Sequence, residues 1–336
     1  MLRGPVLLHD RALMRVPACH VRLPEKCRRL YHTLMNILVT GAAGYIGSIV
    51  CERLLETGLR ITALDRSPGN LGHLCHDELF SFVRADVRDG VAMNGPVSRA
   101  DAIIHLAAIV GETACKRDRH AAMSTNIEAA QLLDGMRSKN QLLIFPNTNS
   151  GYGTTSGDVP CTEETPLAPI SLYGRTKRQA EKTLLSSDKG NAISLRLATV
   201  FGMSPKMRWD LLVNHFVRAA CENGYLVIFE KDFKRNFVHV RDVADCVLFC
   251  IRHPEMAGKA YNLGQDSANL SKEELALKIR EHVPNFYVHF APIGEDPDKR
   301  NYVVSSARLH EAGFKAEWTL DDGIRELIKG YEMEKT

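Results

Sequence analysis

The sequence predicts an α/β protein: a doubly wound parallel sheet followed by a smaller C-terminal lobe. Three observations predict it. From Met35 onward short apolar runs alternate with amphipathic stretches, the pattern of βαβ units. The first run leads directly into a glycine-rich turn, Thr40-Gly-Ala-Ala-Gly-Tyr-Ile-Gly47, which then opens a helical pattern. After Gly202 the alternation loosens, and Pro205, Pro254, Pro284, Pro292 and Pro297 divide shorter elements, as expected of a lobe built from insertions.

Taken in order, Asn36 to Thr40 reads as the first strand, Tyr45 to Thr57 as a helix, and Arg60 to Asp65 as the second strand. Phe80 to Ala85 and Asp101 to Leu106 supply the third and fourth strands. One long helical pattern over 121–139 precedes a fifth strand, Gln141 to Asn147, and a polar loop. A helix over 171–187 and a sixth strand over 192–198 come next, and the Pro/Asp/Gly segment 291–298 reads as a surface loop. The expected domain boundaries are a basic, non-catalytic extension over 1–34, a dinucleotide-binding domain over 35–200, and a mainly substrate-binding lobe over 201–336 with segments returning to the sheet.

Composition excludes several classes. With 45% hydrophobic and 25% charged residues, and a mean hydropathy of −0.17, the chain has the makeup of a soluble globular protein. Its longest apolar stretch, Ala102 to Val110, is interrupted by His105 and falls far short of the roughly 20 residues that a membrane span needs. The net charge of +3 is unevenly placed: residues 1–34 hold seven Lys/Arg against two acids, so the remaining body is slightly acidic. Such a body argues against nucleic-acid binding. The leader lacks an apolar core of signal-peptide length and contains no Ser. It reads as an extension ahead of a natural start at Met35, with an organelle transit peptide as the alternative. Nine cysteines show neither CxxC nor a His spacing that fits zinc, so no metal is expected. Reduced thiols point to a reducing, cytoplasmic compartment.

The glycine turn carries the first chemistry. Gly41 permits a tight turn, Gly44 lets the backbone approach a pyrophosphate, and Gly47 allows close packing of helix on sheet. Tyr45 and Ile46 lie in the first turn of the helix, whose free N–H groups face phosphate. Asp65, at the end of the second strand and 18 residues beyond Gly47, is placed to accept hydrogen bonds from an adenosine ribose. A carboxylate there repels a 2′-phosphate and favours NAD over NADP, although the adjacent Arg66 could serve a phosphate.

With Asp86-Val87 after the third strand and His105-Leu-Ala-Ala108 after the fourth, this Rossmann-type pattern resembles the extended short-chain dehydrogenase/reductase family of NAD-dependent nucleotide-sugar epimerases and dehydratases. The resemblance runs from about Met35 to Tyr331. It implies that Asp86 and Val87 border the adenine, that Leu106, Ala107 and Ala108 line the nicotinamide side, and that Asn126 braces the central strands. It also implies a homodimer paired through the helices near 121–139 and 171–187.

Tyr173-Gly-Arg-Thr-Lys177 places a phenol and an ammonium on one face of a helix. A tyrosine is a poor base at neutral pH, but a neighbouring cation and a nicotinamide cation both favour its phenolate. Tyr173 can then take the proton of a sugar hydroxyl while hydride leaves the same carbon. The resemblance adds Lys177 as a holder of the nicotinamide ribose and Thr148 as the third catalytic hydroxyl. At the next two positions sugar 4,6-dehydratases carry an acid pair, or at least end in Glu; here stand Asn149 and Ser150. Neither is a carboxylate, so dehydration is disfavoured and the two are read as substrate contacts.

In the C-terminal lobe the resemblance puts Thr199 at a substrate position where many members carry Asn. It puts Arg235, and secondarily Arg300, on a substrate diphosphate, which the planar guanidinium fork suits. The expected activity is NAD-dependent oxidation at C4 of a nucleotide sugar, then re-reduction, that is, a 4-epimerase. A 4-dehydrogenase or 4-ketoreductase is the alternative, because the loop 147–153 and the segment 298–305 look somewhat like the GDP-heptose 4-dehydrogenase branch. A 4,6-dehydratase and a non-catalytic NAD sensor stand behind both.

Overall fold

A parallel sheet with helices on both faces needs strands that are apolar on both sides, and β1 (Asn36–Thr40) meets that need. Ile37 and Val39 enter the core on one face, while Leu38 enters the core on the other. In the computed structural model, which describes residues 35–155, 159–294 and 300–335, six further strands join it. These are β2 (Arg60–Asp65), β3 (Phe80–Arg84), β4 (Ala102–His105), β5 (Leu142–Thr148), β6 (Ala192–Leu197) and β10 (Lys259–Leu263). The sheet runs β3-β2-β1-β4-β5-β6-β10, every pair parallel. Strand order reverses between β1 and β4, and a crevice opens at the carboxyl ends of strands on either side of such a reversal. The basic leader 1–34 and residues 295–298 of the predicted loop 291–298 lie outside the described residues.

One face is covered by α1 (Tyr45–Glu56) and α8 (Val240–Arg252), which pack on each other. The other is covered by α2 (Gly90–Arg99), α5 (Ala129–Met136) and α6 (Leu172–Leu185). Helix α2 carries no visible helical signal because Gly95 and Pro96 read as breakers. Asp89 nevertheless starts it by accepting from the Val91 and Ala92 N–H groups at 3.0 and 3.1 Å, and Pro96 buries its ring.

The predicted long helix over 121–139 is corrected to three pieces. These are α4 (Arg119–Met123), a π-helical turn Ser124–Glu128, and α5, and a short α3 (Glu112–Arg117) precedes them. The wide turn gives Asn126 the freedom to bond across to another element, a common use of π-bulges. The helix stops short of Lys139 because Arg137 turns inward to donate to the Gly190 carbonyl at 2.9 Å and to Asp134 at 2.8 Å.

Beyond β6 the chain leaves the sheet. β7 (Thr199–Phe201), β9 (Lys234–His239) and β11 (Asn269–Ser271) form a three-stranded sheet, and β8 (Tyr225–Ile228) pairs in parallel with β12 (Tyr287–Phe290). Helices α7 (Leu212–Glu222), α9 (Lys272–His282) and α11 (Leu320–Lys335) close a separate core around Phe201, Phe216, Phe237 and Phe286. The short α10 (Ala307–Glu311) packs against β10. No helix among the described residues is long and apolar enough to cross a membrane.

Leu54 of α1 is wholly buried in the core shared with α8. Leu54→Ala removes buried methyl groups and leaves a cavity, so it is expected to lower unfolding free energy by about 3 kcal/mol. Urea denaturation should show a lower midpoint at unchanged m-value.

Candidate active site

A cavity of about 1230 Å³ follows the crevice between the carboxyl ends of β1 and β4 and continues to the second lobe. Its first wall is the glycine turn. Gly41 has φ +70, and a Cβ there would lie 2.6 Å from the Ala107 nitrogen; at Gly47 it would lie 2.3 Å from the Gly41 carbonyl oxygen. Both glycines are therefore required by close approach of backbone. Gly44 is different: a Cβ there would meet only the Gly41 oxygen, at 3.1 Å, and the rest of its surroundings is open.

Gly44 is also the N-cap of α1, with no side-chain cap and no acid in the first turn. The leading N–H groups of Tyr45 and Ile46, which line the cavity with the three glycines, are thus left for an anion. This cradle fits the pyrophosphate of a dinucleotide, since the wall lacks side chains where phosphate would sit. Asp65 lines the cavity at the end of β2 and accepts from the Ala43 N–H at 3.1 Å and the Ser67 N–H at 3.3 Å. Each carboxylate oxygen keeps a further lone pair for a ribose hydroxyl. Asp86 is forked by Arg88 at 2.9 and 2.7 Å, and this hydrogen-bonded pair holds its carboxyl down at about 2. Val87, Leu106, Ala107 and Ala108 complete this end.

The other end brings together Thr148, Ser150, Tyr173, Thr199 and Arg300. Thr148 ends β5, where its hydroxyl accepts from the Ser150 N–H at 3.1 Å and donates to the Ser150 hydroxyl at 2.9 Å; Ser150 in turn accepts from Arg300. Tyr173 sits in the first turn of α6, which Ser171 caps through the Gly174 N–H at 2.9 Å. Burial pushes its phenol up to about 12, with Cys115 adding to the rise and Arg300 and Arg208 opposing it.

One turn later Lys177 is buried, its Nζ 3.8 Å above the Phe145 ring. Burial brings its ammonium down to about 7, and the carboxylate of Glu181 works against that fall. Glu181 would itself be raised by burial. Arg196 at 2.8 Å, Ser194 at 2.6 Å and Asn147 at 2.7 Å hold it below the usual carboxylate range instead. His105, buried and bonded to the Thr40 hydroxyl at 2.8 Å, is pushed down to about 3 by burial and by Lys177, so it is neutral.

Four residues singled out from the sequence stand off the cavity wall: Asn126, Asn149, Lys177 and Arg235. Asn126 accepts from the Ile109 N–H at 2.8 Å and donates to the Ile109 carbonyl and the Thr176 hydroxyl, both at 3.0 Å. It thereby fastens the chain after β4 to α6. Asn149 is fully buried, and its amide has no hydrogen-bond partner. Arg235 is buried against the Tyr302 ring and donates to the carbonyls of Lys234 and Arg300.

Sequence reading passed over Glu112, which accepts from the Tyr173 N–H at 3.3 Å, and Arg208, both on the wall. It also passed over Glu181. The one available signal was its position four residues after Lys177, on the same helical face.

Glu181→Gln keeps acceptors and donors for Asn147 and Ser194 but leaves Arg196 without its counter-charge. Breaking a buried pair in this way costs about 3 kcal/mol, to be read as a lower melting temperature. Removing the carboxylate also lets the Lys177 ammonium lose its proton more readily. The alkaline limb of the kcat profile, where that ammonium is lost, is expected to move to lower pH, and an unmoved limb would detach Lys177 from turnover.

Comparison with known proteins agrees with this geometry. The sequence model of the NAD dependent epimerase/dehydratase family matches residues 37–264. A UDP-glucose 4-epimerase of Lactobacillus helveticus is 30% identical over 73% of this chain and 82% of its own length. A probable UDP-arabinose 4-epimerase of Arabidopsis thaliana is 34% identical over 88% of this chain and 80% of its own. Among solved structures, the NAD complex of Thermus thermophilus UDP-glucose 4-epimerase superimposes with a TM-score of 0.75 at 22% identity, covering 89% of this chain and 99% of that one. The cradle and the match over most of the body lead to one conclusion: this chain belongs to the NAD dependent epimerase/dehydratase family.

Proposed function

We propose that this enzyme is a nucleotide-sugar 4-epimerase with NAD as cofactor. The observation that carries the reading is that Tyr173 and Thr148 stand on the same cavity wall system as the glycine cradle and Asp65. In this reading residues 35–200 hold the dinucleotide and residues 201–336 hold mainly the sugar nucleotide. When bound, NAD supplies a hydride acceptor and later a hydride donor at the sugar carbon. The chain supplies the proton chemistry and the placement.

Tyr173 takes the proton of the C4 hydroxyl at its phenolic oxygen. For that its pKa must fall from the value that burial imposes, and Arg300 and Arg208 both act in that direction. Thr148, held by Ser150, hydrogen-bonds the reacting oxygen. Lys177 orients the nicotinamide ribose. Asn126 keeps α6, and hence Tyr173, in register with the chain following β4. Arg300 takes a phosphate of the substrate, and Arg235 positions it by donating to its backbone carbonyl.

The fate of the ketone is set by the bases around it. Asn149 and Ser150 provide no carboxylate for removing water across C5–C6. Glu112 is committed to the Tyr173 N–H and to Lys116 at 3.4 Å. The ketone is therefore reduced again rather than dehydrated. The names of the relatives support the 4-epimerase outcome. We also read the chain as a cytoplasmic homodimer paired through α4, α5 and α6; an exposed Met123 on α4 supports the pairing. The buried, unbridged Cys246 and Cys250 support a reducing compartment.

The test is incubation of the purified protein with NAD and a panel of UDP-, GDP-, CDP- and dTDP-sugars, with products read by mass spectrometry and NMR. Unchanged mass with inverted C4 is the expected result. Loss of two hydrogens would make the enzyme a 4-dehydrogenase, and loss of water would overturn the reading of positions 149 and 150. Tyr173→Phe is expected to cut kcat by about 10²–10⁴-fold while NAD affinity stays at the wild-type level.

A further inference from the structure

The segment between β7 and α7 forms the cavity wall that faces the glycine turn, and it is strapped down at several points. The Tyr45 phenol donates to the Gly202 carbonyl at 2.6 Å, and the Ser204 hydroxyl donates to the Tyr45 carbonyl at 2.7 Å. Asn214 accepts from the Gly202 N–H at 3.1 Å and donates to the Arg208 carbonyl at 3.0 Å. The backbone of Arg208 is thus fixed relative to the first turn of α1.

Its side chain is fixed as well. Asp210 accepts from Nε and from Nη2 of Arg208, both at 2.6 Å, which locks the plane of the guanidinium. Among the described residues Nη1 has no acceptor, and the side chain lines the cavity with Tyr173. Arg208 and Arg300, from separate segments, both act on the Tyr173 phenol. The NAD pyrophosphate has the α1 N-terminus, and a neutral hexose ring has no use for two guanidinium groups beside its reacting carbon. A preoriented arginine with an open N–H edge is built for an oxyanion.

We propose that Arg208 is a substrate-binding residue whose Nη1 edge takes an oxyanion of the sugar nucleotide on the Tyr173 side of the cavity. The inference rests on the nucleotide-sugar reading and deepens it. The oxyanion has two possible sources, the substrate diphosphate or a carboxylate on the sugar, and one set of titrations separates them. The NAD-saturated wild type, Arg208→Gln and Arg208→Lys are titrated by calorimetry with UDP, GDP, UDP-glucose, GDP-mannose and UDP-glucuronate.

Glutamine keeps a hydrogen-bonding amide and removes the charge; its expected effect is a loss of affinity of about tenfold or more, with lysine in between. Equal weakening of nucleoside diphosphates and their sugars assigns Arg208 to the diphosphate. Weakening confined to UDP-glucuronate assigns it to a sugar carboxylate. Unchanged affinities in Arg208→Gln overturn the proposal, as does a matching loss of NAD affinity in a titration without sugar nucleotide, which would give Arg208 to the cofactor. A wild type that binds none of the five probes overturns the nucleotide-sugar reading itself.

Discussion

A buried ammonium is the constraint around which this site is arranged. Lys177 sits where burial alone would empty it of its charge near neutral pH, and the neighbouring groups answer that penalty. The Phe145 ring presents its negative face to Nζ, and Glu181, one helical turn away, contributes a full negative charge. Glu181 can stay ionised only because Arg196, Ser194 and Asn147 satisfy both of its oxygens. The chain of dependence thus runs from β6 and β5 through Glu181 to Lys177, which lies one helical turn after Tyr173 on α6. His105 fits the same logic: beside a cation and out of water it is neutral, so it adds no positive charge to compete with Lys177.

The scaffold serves this centre by holding two backbones unusually close. Gly41 lies against Ala107 where β1 and β4 part, so a crevice opens without either strand moving outward. The chain after β4 would otherwise end in exposed polar backbone. Asn126 satisfies it with both ends of one amide and uses its remaining N–H on Thr176, two residues after Gly174 and one before Lys177. A regular α-helical turn would aim that side chain elsewhere, which gives the π turn a physical purpose.

How far the sequence could be read depends on the range of each interaction. β1 to β6 and the glycine turn were legible because their signals are local: alternation, turn chemistry and a strand that runs straight into a helix. Tyr173 was legible for the same reason, as part of a short motif at the start of a helix, whereas Thr148 could be named only from family resemblance. Asn126 could be named from family resemblance, but its π turn is set by partners in two other segments. Helix α2 was hidden by Gly95 and Pro96, whose local preference is outweighed by the burial of Met93, Pro96 and Val97. Which face Arg235 takes is decided by pairing, with Arg235 opposite Leu270 in β11, and a shift of one residue would reverse it. Arg208 has no motif at all. It reaches the cavity because its loop is strapped to α1.

That strap also unites the two halves of the cavity. Tyr45 belongs to the glycine turn, yet its phenol is buried beneath Gly202, where desolvation raises its pKa and keeps it a hydrogen-bond donor. Asn214 donates to the Tyr45 hydroxyl at 3.3 Å and to the Arg208 carbonyl, so three elements share one buried network. Displacing the loop that carries Arg208 would leave a buried phenol, an asparagine and two backbone groups without partners, each worth about 1–3 kcal/mol. The wall facing the reacting carbon is therefore held in register with the turn that holds the cofactor. Hydride transfer requires that registration, because donor and acceptor atoms must meet within a fraction of an ångström of one geometry.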